Sequence, residues 1–346
     1  MKDRYTYVGL DVHKKSVSYC AKRADGTIIA DGQVAANRKS LRIWERTLPR
    51  PWRGAMEATL FTGWIYDFLK PRAEELKVAH PLMMRAIAAS KKKNDRVDAE
   101  KLADALRANL VPECYMAPTG IRELRRVLRF RNLIVSLAVK MKNKCAGLLM
   151  EVGAKYNKTK LHRKGYFSEL LEGLSPHEVP DSVKAMLRMA RSQVELFGAL
   201  DKKLVRGLED DKRLAERVER LQTIRGVGSI MALTWALEVG EPERLGSVRK
   251  ACSYCGLTSA QSQSGASAKR LPISKQRNKH LQRVLIETAK LAPRWNAQLA
   301  AVHERELARG NNNRATLAVA RKLVAFLLAV DKSGKAFEER EVMPKN

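Results

Sequence analysis

Asn94-Asp95-Arg96-Val97-Asp98-Ala99-Glu100-Lys101-Leu102-Ala103, preceded by Lys91-Lys92-Lys93, reads as a loop running into a helix, with Asn94 as its N-cap. Ala99, Leu102, Ala103, Leu106 and Leu110 recur at helical spacing, so this face is expected to pack inward. Four residues back from Ala99 and Leu102 stand Asp95 and Asp98, which places both carboxylates on the inward face, in the first turn. Acids there also complement the helix dipole, a contribution of about 0.3–1 kcal/mol each. The three lysines suit a phosphate backbone approaching an acidic site.

Outward from this helix the chain alternates strand and helix. Tyr5-Thr6-Tyr7-Val8-Gly9-Leu10-Asp11-Val12 has strand periodicity: Val8, Leu10 and Val12 face one way, Gly9 and Asp11 the other. Strands over 16–23 and 27–35 follow, with a hairpin turn at Asp25-Gly26. A helix over 38–47, a strand over 54–57, a helix over 61–69 and a strand over 76–79 complete the run. That order predicts a mixed sheet with helices packed on it.

From Pro118 the character changes. Residues 118–165 hold thirteen Lys and Arg against Glu123 and Glu151. Leu124, Val127, Leu128, Ile134, Leu137, Met141 and Leu148, and later Val194, Phe197, Leu200, Leu204 and Leu208, keep a near-helical period. Narrow apolar seams of this kind predict an antiparallel coiled-coil hairpin or dimerisation arm, with a loop-rich tip at about 151–180. The last third holds Ile224-Arg225-Gly226-Val227-Gly228, then helices without a clear strand, with Ser259–Ser267 expected as a loop. The domains are therefore 1–117, 118–220 and 221–346.

A net charge of +29 makes a polyanion the default partner. No run of about 20 uncharged apolar residues is present, which argues against a membrane span. No signal peptide is visible, and a cytoplasmic location is expected. Cys252 and Cys255 alone have ligand-like spacing, but a zinc site needs four ligands and no second pair stands nearby. Buried small apolar residues are the better account of the cysteines.

Asp11, Glu57, Asp95 and Asp98 thus fall on three converging elements. Clustered like charges repel unless cations neutralise them. Divalent ions such as Mg²⁺ or Mn²⁺ take carboxylate oxygens, and a pair of them can clamp the attacking and leaving oxygens of a phosphoryl transfer. The Gly226-Val227-Gly228 turn lets backbone approach closely, and the amides of the next helix can hold a phosphate. Such turns also occur as plain helix connections. Residues 259–286 contribute Lys269, Arg270, Lys275, Arg277, Lys279 and Arg283 with no acid, a solvated face or a strand-binding one.

Gly9-Leu10-Asp11, Met56-Glu57-Ala58-Thr59 and Asn94-Asp95-Arg96-Val97-Asp98-Ala99 resemble the DEDD motifs of insertion-sequence transposase family one-ten. Ile224-Arg225-Gly226-Val227-Gly228, Cys255-Gly256-Leu257-Thr258 and Arg321-Lys322-Leu323 are similar to that family's C-terminal domain. The resemblance covers both ends of the chain in order, while the middle arm matches only in character. It implies an N-terminal RuvC-like domain of ribonuclease-H-like fold, a coiled-coil arm, and a mainly helical C-terminal transposase domain with a helix-hairpin-helix. It implies metal at Asp11, Glu57, Asp95 and Asp98, a nucleophilic serine directly before a glycine, and a noncoding bridge RNA as guide. Ser264, before Gly265, fits that register, with Ser262 as the fallback. Cys252 and Cys255 stand where the family has small apolar residues.

The function expected is a transposase that cuts and rejoins donor and target DNA through a phosphoserine, as a homo-oligomer (dimer or tetramer) without a membrane partner. A metal-dependent, structure-specific (Holliday-junction-like) endonuclease would leave the C-terminal third unexplained. A non-catalytic nucleic-acid-binding protein would leave the four carboxylates unexplained. No zinc finger, basic zipper or clear helix-turn-helix supplies sequence reading, and phosphate contacts carry none, which is a second reason to expect a guiding RNA.

Overall fold

The alternation of residues 5–12 forms β1 (Thr6–Val12), the middle strand of a five-stranded sheet. The computed structural model describes residues 4–87, 94–175, 177–264, 267–273 and 276–339, with backbone alone for 260–264 and 267–272. Two compact units divide the chain, residues 1–119 and 120–346.

In the first unit the strand order is β3-β2-β1-β4-β5, with β2 (Ser16–Lys22), β3 (Ile28–Ala35), β4 (Trp52–Glu57) and β5 (Glu75–Ala79). The pairs β1–β2 and β2–β3 are antiparallel, whereas β1, β4 and β5 run parallel. Val8, Leu10 and Val12 bury one face against α1 (Arg38–Glu45) and α2 (Thr62–Leu69), through Leu41, Trp44, Ile65 and Leu69. α3 (Pro81–Ile87) follows β5, and α4 (Asp95–Arg107) covers the opposite face of the sheet. Asn94 caps α4 by accepting the Val97 amide hydrogen bond, as the sequence predicts.

Gly9 explains the close fit of α4. A Cβ there would lie 1.9 Å from the Ala99 carbonyl oxygen and 2.5 Å from the Ala103 nitrogen. Only a glycine lets the helix backbone settle on β1. Lys22 locks the same helix from the side, donating to Glu100 (2.9 Å) and Asp104 (2.8 Å), and Arg96 reaches Asp31 at 2.6 Å. Ala99, Leu102, Ala103 and Leu106 are buried, but Leu110 is exposed. The helix ends at Arg107 and Asn109 adopts a left-handed φ of 55°, so the helical period does not carry to Leu110.

The second unit opens with α5 (Thr119–Glu151). Leu124 and Leu128 near its start belong to the core of the C-terminal helices. At its far end, Cys145, Leu148 and Leu149 pack with Phe167 and Leu171 of α6 (Lys164–Gly173) and Leu187 of α7 (Asp181–Glu209). The tip expected to be loop-rich therefore holds a helix and a small core of its own. α8 (Ala215–Gln222) leads to α9 (Ser229–Val239), whose residues 231–239 are all buried. α10 (Val248–Tyr254), α11 (Lys279–Leu291), α12 (Ala297–Ala308) and α13 (Asn312–Ser333) surround it.

Ser259–Ser267, expected as a loop, is instead mostly strand. β6 (Ser259–Ser264) pairs antiparallel with β7 (Ser267–Ile273). Small polar residues lack the apolar alternation that marks a half-buried strand, so periodicity could not find this hairpin. No helix among the described residues is long and apolar enough to cross a membrane.

Candidate functional site

Asp11 stands at the carboxyl end of β1, side chain 17% exposed, on the face that α4 covers. With α4 seated on Gly9, the first turn of the helix meets the end of the strand. One ligand atom each from Asp11, His13 and Asp95 lies within 4.8 Å of the other two. His13 Nε2 is 3.0 Å from Asp11 Oδ2 and 3.5 Å from Asp95 Oδ1. Burial pushes the Asp11 carboxyl above its ordinary value; His13 opposes that rise, and the Asp95 and Asp98 charges add to it. Asp98, one turn into α4, is thus within electrostatic reach of Asp11.

Glu57 ends β4, the parallel neighbour of β1. Leu10 pairs with Met56, so the next residues along, Asp11 and Glu57, close adjacent strands at the same end. Its backbone is fixed by Thr62, whose hydroxyl donates to the Glu57 carbonyl at 2.6 Å. Asp11, His13 and Asp95 are chemically suited to a divalent ion: carboxylates on two elements, one mostly buried and one exposed, drawn together with an imidazole beside both, while Glu57 and Asp98 stand outside that close group. His13 was missed in the sequence, although Asp11-x-His13 placed a second ligand type two residues from the first.

In the second unit, Gly226 has φ of 93°, and a Cβ there would meet Ala292 at 2.8 Å. The turn leads into α9 with exposed Gly228 as N-cap and no capping side chain. Ser264 is the last described residue before the hairpin turn, paired with Ser267, and Ser262 pairs with Lys269. Gly265, Lys275 and Lys91–Lys93 lie outside the described residues, and of Lys269 and Arg270 only the backbone is described. Lys279 lines a cleft of about 630 Å³ with Arg129, Arg131, His280 and Arg283.

The roots of the hairpin are held by side chains. Arg321 Nε donates to the Leu257 carbonyl (2.8 Å) and Gln282 Nε2 to that of Gly256 (2.6 Å). On the other side, Asn278 caps α11 and donates to Glu238 at 2.8 Å. Glu238 is fully buried and takes both hydrogen bonds of Arg129, each 2.8 Å. Arg125 donates to the Leu237 carbonyl at 2.8 Å. Cys252 and Cys255 are buried free thiols, both pushed up by burial, as the sequence reading expects.

Residues 8–153, which include all four carboxylates, match a family described as a transposase of the DEDD IS110 type. Residues 218–304, which include the glycine turn and the serine hairpin, match the "Transposase IS116/IS110/IS902 family". The chain belongs to the IS110 family of transposases. It is similar along nearly its whole length to the "Transposase for insertion sequence element IS1328" of Yersinia enterocolitica, 24% identical over 343 residues, 96% of this chain and 99% of that one. The "Transposase for insertion sequence element IS1111A" of Coxiella burnetii is 28% identical over 204 residues, 57% of this chain and 54% of that protein. Membership of the IS110 family makes the chain a DNA-acting transposase with a DEDD-type N-terminal part.

Proposed function

We propose that this transposase cuts and rejoins DNA by two sets of residues: a RuvC-like metal centre of Asp11, Glu57, Asp95 and Asp98, and the nucleophile Ser264. The observation that carries the reading is the seating of α4 on Gly9, which delivers Asp95 and Asp98 to Asp11. A divalent ion bound there, Mg²⁺ or Mn²⁺, would supply positive charge to the phosphate oxygens on which negative charge develops. The four carboxylates hold the ion, and burial of Asp11 keeps that charge from being screened by water.

A serine hydroxyl is a weak nucleophile until it loses its proton. As Ser264 Oγ bonds to the scissile phosphorus and its proton passes to a base, the bond to the 3′ oxygen breaks and that oxygen leaves as a hydroxyl. The phosphoserine ester retains the energy of the broken bond, so the 3′ hydroxyl of another strand can displace the serine and reseal DNA without ATP. The hairpin supports this role, because a short, side-chain-anchored β-ribbon holds a nucleophile more firmly than the loop the sequence suggested. Gly226, Gly228, Lys269, Arg270, Lys275, Arg277 and Lys279 hold DNA phosphates, and a noncoding RNA selects the target. The protein works as a homo-oligomer on donor and target DNA.

Strand cleavage of an element-end DNA in Mg²⁺ or Mn²⁺ tests the metal half. Asp11→Ala and Asp98→Ala, each checked for folding, should lose cleavage by at least about a thousandfold. Cleavage retained in both would overturn the reading.

A further inference from the structure

The DEDD motif leaves one ligand-bearing side chain of this site without a role. His13 sits in the turn after β1, its backbone N–H donating to the Ser16 carbonyl at 2.9 Å. This short turn positions the imidazole over the ends of β1 and α4. Its Nε2 lies 3.0 Å from one carboxylate and 3.5 Å from another. Two ligands in neighbouring positions around an octahedral ion, each about 2.1 Å from the metal, stand about 3.0 Å apart. The imidazole and Asp11 therefore already have the spacing of neighbouring ligands, and Asp95 stands 3.5 Å from the same nitrogen.

We infer that His13 is a ligand of the bound ion and gives the site a preference for Mn²⁺ over Mg²⁺. This rests on the proposed metal centre. Mg²⁺ favours all-oxygen surroundings, while Mn²⁺, though also oxygen-seeking, accepts an imidazole nitrogen beside carboxylates more readily than Mg²⁺ does. The side chain is 49% exposed, so it can release the acids and turn to a metal without disturbing the core. The same exposure makes His13→Ala a mild substitution for the fold.

Mn²⁺ electron paramagnetic resonance reads the ligand directly, since a coordinated imidazole imprints ¹⁴N couplings on the echo envelope. The full-length wild-type protein should bind Mn²⁺ with that ¹⁴N signature. His13→Ala should still bind Mn²⁺, without the signature and at least about tenfold more weakly, while its Mg²⁺ affinity, measured by competition, falls much less. Mn²⁺ binding that is lost in Asp11→Asn yet shows no ¹⁴N coupling in the wild type would overturn the His13 role and leave the carboxylate centre standing. A coupling unchanged in His13→Ala would overturn it equally. Mn²⁺ binding that is absent, or indifferent to Asp11→Asn, would overturn the metal centre and the His13 role together.

Discussion

At the scale of the residue, Gly9 and Glu238 show how single positions set a site. Gly9 is forced by close approach: any side chain would push α4 off the sheet and take Asp95 and Asp98 with it. Gly9→Ala should lower the melting temperature and abolish metal binding, which calorimetry in the presence and absence of Mn²⁺ would register. Glu238 carries a different load. Its burial raises the carboxyl pKa, but Arg129, Asn278 and Arg125 together bring it below its ordinary value of 4.5. A depressed carboxylate adds stability above its unfolded value and loses it as pH falls through the folded one. Glu238→Gln should cost about 2 kcal/mol at pH 7, because it removes the charge that receives both hydrogen bonds of Arg129, and the variant's stability should fall less than the wild type's below pH 4.5. Equilibrium unfolding by urea at several pH values checks both. The sequence could not announce this residue. A glutamate in a helix normally faces water, and only the all-round burial of α9 makes it a hub.

At the scale of the element, the helix that carries the acids was legible, because cap, period and charge agree on Asn94–Arg107. The succession of strands and helices along the chain was legible too, down to which face of β1 holds Asp11. The serine hairpin was not, because its stability comes from anchors distant in sequence. Arg321 is 64 residues from the carbonyl it holds. Arg321→Ala should weaken that anchor, reducing serine-linked product formation about tenfold or more while leaving Mn²⁺ affinity unchanged, as adduct yield and metal titration would show. Part of the arm's basic charge is engaged within the protein. Arg125 and Arg129 belong to the basic stretch of 118–165, yet both are engaged at α9, and Arg131 is paired with Asp201 at 2.5 Å. Charge reversal there would break these contacts before it tested RNA binding. Besides Arg129, the exposed cations of α5 are Arg126, Lys140 and Lys144. Reversing these three should weaken RNA binding and lower its salt dependence by roughly one counterion per lost contact, measured by filter binding across a salt series.

At the scale of the whole molecule, a charge of +29 suits an enzyme that acts on a polyanion, and under the proposed function Asp11 and Asp95 beside His13 are where it would still hold a cation. The family matches run through both units, one containing the carboxylates and the other the serine hairpin. A nuclease needs only the first. Under the proposed function both sets of residues act on one phosphodiester, and the most direct test is the covalent product. Wild-type protein, supplied with its element's DNA and noncoding RNA in Mg²⁺, should yield a denaturation-resistant protein–DNA adduct whose peptide map places the phosphate on Ser264. Asp98→Ala and Ser264→Ala should each yield none. Efficient cleavage by Ser264→Ala without an adduct would contradict the claim and make the protein a metal-dependent nuclease, and an adduct mapped to Ser262 would move the nucleophile two residues along β6.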